Sequence, residues 1–276
     1  MKILAFSDII KWDGYEKLVD KIQPDIIVLA GDLTSDGFAY FQWYDEFEKT
    51  PAFQKKAYKP IIFREEIKSG IVYTFQSREN YLKSKDFLNF RKKIHVDRFY
   101  QFLNYAGKKS KVLVIRGDHD NDFDGDYIPE KINKIHECKE IIGKVIKIGN
   151  LRFLGLGYNE TYYLRILKPI IAEYKGKVDI VIMHGLRAPL ISSLKPGLII
   201  RGGIGPGKYL INDVPSVFTG GAKYTVIEFE MGKLPKILQY NIGLNDEPKL
   251  VKGSWPYSTK VSFKKYEWLK PYPSEM

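Results

Sequence analysis

Six residues of this 276-residue chain carry side chains that bind metal ions or move protons, and each sits where a strand would deliver it: Asp8, Asp32, Asp118, His119, Asp120 and His184. Carboxylates and imidazoles ligate divalent ions, and an imidazole also exchanges protons near neutral pH. The densest segment is Val112-Leu-Val-Ile-Arg-Gly-Asp-His-Asp120, an apolar run with three of these residues at its carboxyl end. Continuous Val/Leu/Ile runs read as strands buried on both faces, and open α/β sheets bind ligands just beyond such strand ends. Three more segments repeat the pattern: Lys2-Ile-Leu-Ala-Phe-Ser-Asp8, Ile26-Ile-Val-Leu-Ala-Gly-Asp32, and Asp179-Ile-Val-Ile-Met-His184 followed by Gly185. Plainer roles also fit: Asp8 and Asp32 as caps of following helices, His184 as a hydrogen-bonded core histidine.

The elements that must position these residues follow from periodicity and turn residues. Residues 1–36 read as strand, helix, strand, with the helix over Tyr15–Ile22 stopped by Pro24. A right-handed crossover of that kind puts Asp8 and Asp32 at the same sheet edge. Residues 37–110 form a long insertion. Its first part, Phe38 to Phe47, is aromatic enough for a satellite core. Its second, Glu79 to Tyr105, repeats Leu82, Phe87, Phe90, Ile94, Phe99, Phe102 and Leu103 at helical spacing, which reads as a packing face. A helix is expected over Pro129–Lys139, where Cys138 would be an ordinary buried thiol. Strands over 144–148 and 151–155 join through Gly149-Asn150, a hairpin signal. A helix over Thr161–Tyr174 leads to the His184 strand, and short strands follow at 198–201, 208–211, 222–230 and 237–242. This is an α/β protein built around two packed sheets.

Bulk composition narrows the classes. A single cysteine excludes an internal disulfide and a thiolate zinc site. No apolar stretch approaches the roughly 20 residues that span a bilayer, and the N-terminus enters a strand directly, so a cytoplasmic location and no membrane partner are expected. The net charge of +11 favours an anionic partner, a phosphorylated substrate or a polyanion such as nucleic acid. Residues 37–110 hold 15 Lys or Arg against 8 Asp or Glu, which is +7 of that charge, and 18 of the 39 aromatic residues. Lysine-rich surfaces and abundant Ile are equally the pattern of a heat-adapted, thermophile-like protein.

The order Asp8, Gly31-Asp32, Gly117-Asp-His-Asp120 and His184-Gly185 resembles the calcineurin-like metallophosphoesterase family over roughly residues 1–240. The resemblance implies a four-layer αββα sandwich, two packed mixed β-sheets flanked by helices, with an inserted helical and aromatic cap segment. A domain over 1–244 is expected, with residues 245–276, where Trp255, Phe263 and Trp268 stand among lysines and prolines, as a C-terminal extension packed on the body. In that family two metal ions share one aspartate, and a hydroxide attacks phosphorus in line. Carried over by position, Asp8 binds the first metal, Asp32 bridges, and Asp118 and His184 bind the second. His119 stands outside the metal shell and stabilises or protonates the reacting group, with Asp120 orienting it.

The ligands depart from the family where the frame does not. Ile10 stands at the first family histidine, Asp118 at an asparagine, and Gly203 and Gly205 within Arg201-Gly-Gly-Ile-Gly205 at the last two histidines. No histidine follows His184 in the remaining 92 residues (276 minus 184). The first site keeps Asp8 and Asp32; the second keeps Asp32, Asp118 and His184. One divalent ion per chain, or none, is the expectation, with Mn²⁺ or Mg²⁺ favoured by the carboxylates and Zn²⁺ or iron as alternatives. Arg201 and the Gly203 backbone are candidates for holding phosphate. Two functions follow: a degenerate phosphoesterase hydrolysing a phosphodiester or phosphomonoester weakly with one metal, or a catalytically silent binding protein whose basic insertion engages nucleic acid or another polyanion. Composition does not set the oligomeric state.

Overall fold

The computed structural model describes residues 1–9, 12, 14–34, 62–67, 70–75, 89, 92–121, 127–185, 187–203, 208–220, 223–241 and 249–250. The aromatic stretch 38–47, most of the basic insertion, and all but two residues of the expected C-terminal extension lie outside them.

The first sheet is built on the three N-terminal apolar runs. Strands β1 (Lys2–Phe6), β2 (Ile26–Ala30) and β5 (Lys111–Ile115) are parallel neighbours, with Phe6 beside Leu29 and Ala30 beside Ile115. Apart from the first residues of β1 and β5, every residue of the three strands is buried, as side chains covered on both faces require. β6 (Cys138–Glu140) extends the sheet beyond β5; β13 (Lys223–Glu228), β14 (Lys236–Asn241) and β15 (Lys249–Leu250) extend it antiparallel on the β1 side. The second sheet runs β11 (Lys208–Ile211), β12 (Val214–Phe218), β10 (Leu198–Gly202), β9 (Ile180–His184), β8 (Leu151–Leu156) and β7 (Val145–Ile148). A separate antiparallel hairpin pairs β3 (Ile62–Ile67) with β4 (Gly70–Phe75).

Alternation along the strands divides the core into three. Ile3, Ala5, Ile26, Val28, Leu113 and Ile115 of the first sheet face Ile180, Ile182, Leu198, Ile200 and Val217 of the second. The opposite face of the first sheet, with Leu4, Phe6, Ile27, Leu29, Val112 and Val114, is covered by α1 (Tyr15–Ile22) and α2 (Asp97–Ala106). Phe99, Phe102, Leu103 and Ala106 recur at one helical face and are buried there, so this end of the expected insertion is a structural layer of the body. The outer face of the second sheet packs on α5 (Leu164–Tyr174) and α6 (Ala188–Ile191), completing helix, sheet, sheet, helix.

Four local expectations change. The helix expected over Pro129–Lys139 stops as α3 at Asn133; Glu137 adopts a left-handed φ of 54° and Cys138 enters β6. Cys138 is still a buried thiol, pushed up to about 12 by that burial. The helix expected over Thr161–Tyr174 is split into α4 (Tyr158–Tyr162) and α5 by an extended Tyr163. Within α5, Pro169 lacks the N–H that would bond one turn back. Strand β12 was not expected; Asn212 and Asp213, both at positive φ, make the tight turn that pairs it with β11. The Gly149-Asn150 hairpin forms as expected, pairing Ile148 with Leu151. Among the described residues no helix is long and apolar enough to cross a membrane.

The carboxyl ends of the sheets meet closely at Gly202, where a Cβ would lie 1.8 Å from the Ala30 carbonyl oxygen. A backbone atom cannot rotate away from such a clash. Gly202→Ala is therefore expected to destabilise the fold by about 3 kcal/mol, the upper range for overpacking, read as a lower urea midpoint; an unchanged midpoint would contradict this packing.

Candidate metal centre

Asp8 and Asp32 lie just past the ends of their strands, where backbone pairing continues: Asp8 N–H donates to the Gly31 carbonyl and Ile9 N–H to the Asp32 carbonyl, both at 3.0 Å. Both aspartates are left-handed, at φ 51° and 54°. That conformation costs an ordinary L-residue about 1 kcal/mol and is most tolerable for Asp, Asn and Gly. It is held from behind by an aromatic layer. The Trp12 ring lies 5.0 Å from Phe102, and its indole N–H donates to the Leu33 carbonyl at 3.1 Å. The capping role open to Asp8 is not what the fold uses, since α1 starts after Gly14. Instead the Asp8 carboxylate accepts from the Ser7 hydroxyl (2.5 Å) and the Gly203 N–H (2.7 Å).

Asp120 is the clamp of the site. Its buried carboxylate accepts from the N–H groups of Leu33 (2.7 Å), Thr34 (2.8 Å) and Gly117 (2.9 Å), and from the Thr34 hydroxyl (3.0 Å). These bonds join the loop after β2 to the loop after β5, and His119 N–H donates to Asp32 Oδ1 at 3.1 Å across the same junction. Asp120 thus holds the loops on either side of this junction through their backbone. Burial foremost, then the charge of Asp32, raises the Asp120 carboxyl, while three backbone donors counter them.

His184 enters from the second sheet. Its Nδ1 lies 2.8 Å from the Ala30 carbonyl, a group that only accepts, so Nδ1 carries the hydrogen. The Nε2 edge is thereby turned to the acids, 3.0 Å from Asp118 Oδ1 and 3.5 Å from Asp32 Oδ2. Burial by itself pulls this imidazole's pKa down, yet the hydrogen bonds of Asp118 and Asp32 and the charges of Asp32 and Asp8 lift it well above the ordinary histidine value. The hydrogen bond to His184 holds the Asp118 carboxyl below the usual range. Asp8 is raised, chiefly by burial, with Asp32 adding to the effect and His184, Ser7 and Gly203 opposing it.

Ligand atoms converge in two groups. Asp8, Asp32 and His184, all buried, place one ligand atom each within 4.8 Å of one another; so do Asp32, Asp118 and the half-exposed His119. The donor set of buried carboxylates and one imidazole whose free nitrogen faces them suits a divalent ion. Asp32 belongs to both groups. His184 lies beside Asp32 and Asp118, the set expected for the second site, and also beside Asp8. Ile10 and Gly205 lie outside the described residues.

The two candidates for holding phosphate make contacts within the protein. Arg201 is one residue out of phase with Gly202, the neighbour of His184 in β9, so its side chain leaves the opposite face of the sheet. Its guanidinium lies 4.1 Å over the Phe218 ring, and Nη2 donates to the Gly185 carbonyl at 2.8 Å, fixing the turn after His184. Gly203 N–H is directed at Asp8. Sequence reasoning also missed Thr161, whose hydroxyl donates to the His184 carbonyl (2.5 Å), and Thr219, which reaches Ser7 Oγ at 3.2 Å. Neither carries a local signal; only folding brings them to the site.

The raised pKa of His184 contributes stability to the metal-free protein that is full below the unfolded value of about 6.5 and fades as pH rises through the folded value; the lowered pKa of Asp118 contributes above about 3.8 and is lost on acidification. In metal-free urea titrations the penalty of His184→Gln should thus be largest near about pH 5.5 and shrink toward alkaline pH; a penalty growing with pH would contradict the ion pairing. Asp120→Ala strands three backbone donors and should cost about 3 kcal/mol or more in the same assay.

A family model for the calcineurin-like phosphoesterases matches residues 1–64. No curated protein sequence matches the chain. Among solved structures, one crystal structure is 15% identical over 88% of this chain and 99% of its own, with a TM-score of 0.53. The protein TT1561 of Thermus thermophilus is 14% identical over 88% and 99%, at 0.49, and a novel archaeal phosphodiesterase is 12% identical over 86% and 98%, at 0.38. The two-sheet sandwich is the fold of the 15% identical crystal structure, and the match to the calcineurin-like phosphoesterase model covers residues 1–64, the segment that carries Asp8 and Asp32.

Proposed function

We propose that the chain is a metal-dependent hydrolase of a phosphodiester or phosphomonoester, with Asp8, Asp32, Asp118 and His184 as metal ligands. The observation that carries this reading is the convergence of Asp8, Asp32 and His184 into one buried group beside the more open Asp118 and His119. A divalent ion held there supplies Lewis-acid polarisation of a phosphoryl oxygen and water of lowered pKa.

What the protein contributes is preorganisation. The Ala30 carbonyl fixes the His184 tautomer, so Nε2 meets a metal with its lone pair once its proton is displaced. Asp8 is set by Ser7 and Gly203, and Asp32 by the amide of His119, leaving little reorganisation to occur on binding. Asp118 and His119, both half-exposed, form the open side, where a phosphorylated substrate enters. The additional charge of Asp118, where the family has asparagine, suits Mn²⁺ or Mg²⁺ over softer ions.

Hydrolysis of bis(p-nitrophenyl) phosphate with Mn²⁺ or Mg²⁺ tests the reading. Wild-type protein should show metal-dependent turnover, and Asp32→Asn, which weakens both ligand groups, should lower it by at least about 100-fold, the scale of removing one electrostatic partner from a reaction centre. Equal rates in the two proteins, or no rate in either across phosphodiester and phosphomonoester substrates, would reject it. Because His184 must lose its proton to bind, metal affinity should also fall as pH drops, and uptake should release protons measurable in weakly buffered solution.

A further inference from the structure

We propose that the tyrosine ladder beginning in α4 is a stacking platform for a nucleobase, so that the phosphoester presented to the open side of the metal centre belongs to a nucleotide. The inference deepens the hydrolase reading. It rests on that reading for what the phosphate undergoes, and on the rings themselves for binding.

Four observations carry it. First, the platform is attached to the strand that ends in His184. The Thr161 hydroxyl donates to the His184 carbonyl at 2.5 Å, and a Cβ on Gly185 would meet Thr161 Oγ1 at 2.5 Å and the Tyr158 ring at 3.9 Å, so α4 lies directly against the turn after His184. Second, Tyr158 stands toward the open side. Its N–H donates to the Arg116 carbonyl at 3.3 Å, and its hydroxyl is raised by burial first and then by the charge of Asp118. Third, the rings form a series leading away from that side. Tyr158 and Tyr162 stack with centroids 5.3 Å apart and planes at 24°, Tyr163 meets Tyr162 edge-on at 5.0 Å and 84°, and the Arg165 guanidinium lies 5.5 Å from the Tyr163 ring. Fourth, these three rings belong to none of the three apolar cores, whereas Tyr174 at the end of α5 packs against one; Tyr162 is 37% exposed.

The chemistry of this shelf selects its ligand. Paired rings one turn apart steady a short helix only slightly, so stability alone does not account for three tyrosines at the rim. An exposed ring backed by a second one offers a rigid π-face, on which any base stacks, and a guanidinium at the end of the series adds a cation compatible with a phosphorylated ligand. Asn159 precedes Tyr162 by three residues and is therefore its neighbour on the helix surface. Its amide both donates and accepts hydrogen bonds, as the edge of a base requires and a plain phenyl group does not. A nucleotide carries its anionic group and its flat base at opposite ends of a sugar; the protein carries its metal-ligand candidates and the exposed Tyr162 ring on opposite sides of Tyr158.

The test compares two diesters that lose the same p-nitrophenolate to water: the p-nitrophenyl ester of thymidine monophosphate and methyl p-nitrophenyl phosphate, each with Mn²⁺ and the full chain. Wild type should favour the nucleotide ester in kcat/KM by at least about fivefold, the lower end of what one base–aromatic stack contributes. Tyr162→Ala should collapse that preference, chiefly through KM, and Tyr162→Phe, which keeps the ring, should retain it. A purely structural role would move both esters together and leave their ratio unchanged. Binding is read apart from turnover by the fluorescence anisotropy of ethenoadenosine monophosphate with Mg²⁺, which Tyr162→Ala should weaken by a similar factor; circular dichroism checks that both variants fold. Hydrolysis of the methyl ester with no preference for the nucleotide ester, or a preference that survives Tyr162→Ala, would overturn the inference and leave the hydrolase reading standing. Nucleotide binding that Tyr162→Ala weakens, with neither ester hydrolysed, keeps the platform and removes the hydrolase reading. Neither binding nor turnover removes both.

Discussion

Asp8, Asp32 and Asp118 are brought to one imidazole edge in a largely water-excluded junction between two sheets, and this crowding of like charge shapes everything around it. Without a cation the cluster is stabilised by drawing a proton onto His184 and by taking hydrogen bonds from Ser7, Gly203 and the His119 amide. Those donors act on carboxylates that would otherwise repel one another at short range in a medium of low dielectric. A divalent ion would neutralise more of this charge than the proton does.

The fold is organised to make that crowding tolerable. Backbone pairing continues past β1 and β2 so that both aspartates are held by main chain, and Asp120 uses its carboxylate to join the loops after β2 and β5. The second sheet contributes through close approach: Gly202 lets it come within contact of the Ala30 carbonyl, the group that also fixes the His184 tautomer. Arg201, on the far face, holds the turn that follows His184. Arg201 and the Gly203 N–H, candidates in sequence for holding phosphate, contact the Gly185 carbonyl and Asp8 in the structure.

Substitutions at the usual histidine positions have partial compensations. Gly203 has no imidazole, but its N–H donates to Asp8, preserving an interaction with the first aspartate by backbone rather than by metal. Asp118 presents a carboxylate whose Oδ1 lies 3.0 Å from His184 Nε2 and whose Oδ2 lies 3.7 Å from His119 Nε2. Asp32 is common to both groups of converging ligand atoms.

Much of this was legible in the chain itself. Continuous apolar runs fixed β1, β2, β5 and β9, because strands buried on both faces admit only such residues, and the acids and histidine at their ends marked the site. The α2 packing face and the Gly149-Asn150 turn were visible for the same local reasons, periodicity and left-handed backbone. Short elements were not. β6 and β12 are strands because neighbours pair with them, and Pro129–Lys139 carried a helical pattern that pairing with β5 overrode after Asn133. Sequence also named the candidate ligands and grouped them by position, but not the contacts that hold them. Which carboxylate meets which imidazole, that Asp120 binds backbone, and that Arg201 leaves the opposite face of its sheet are set by register across two sheets and by contacts between residues as distant as Asp8 and Gly203. No local spacing encodes such distances; only the packed sheets decide them.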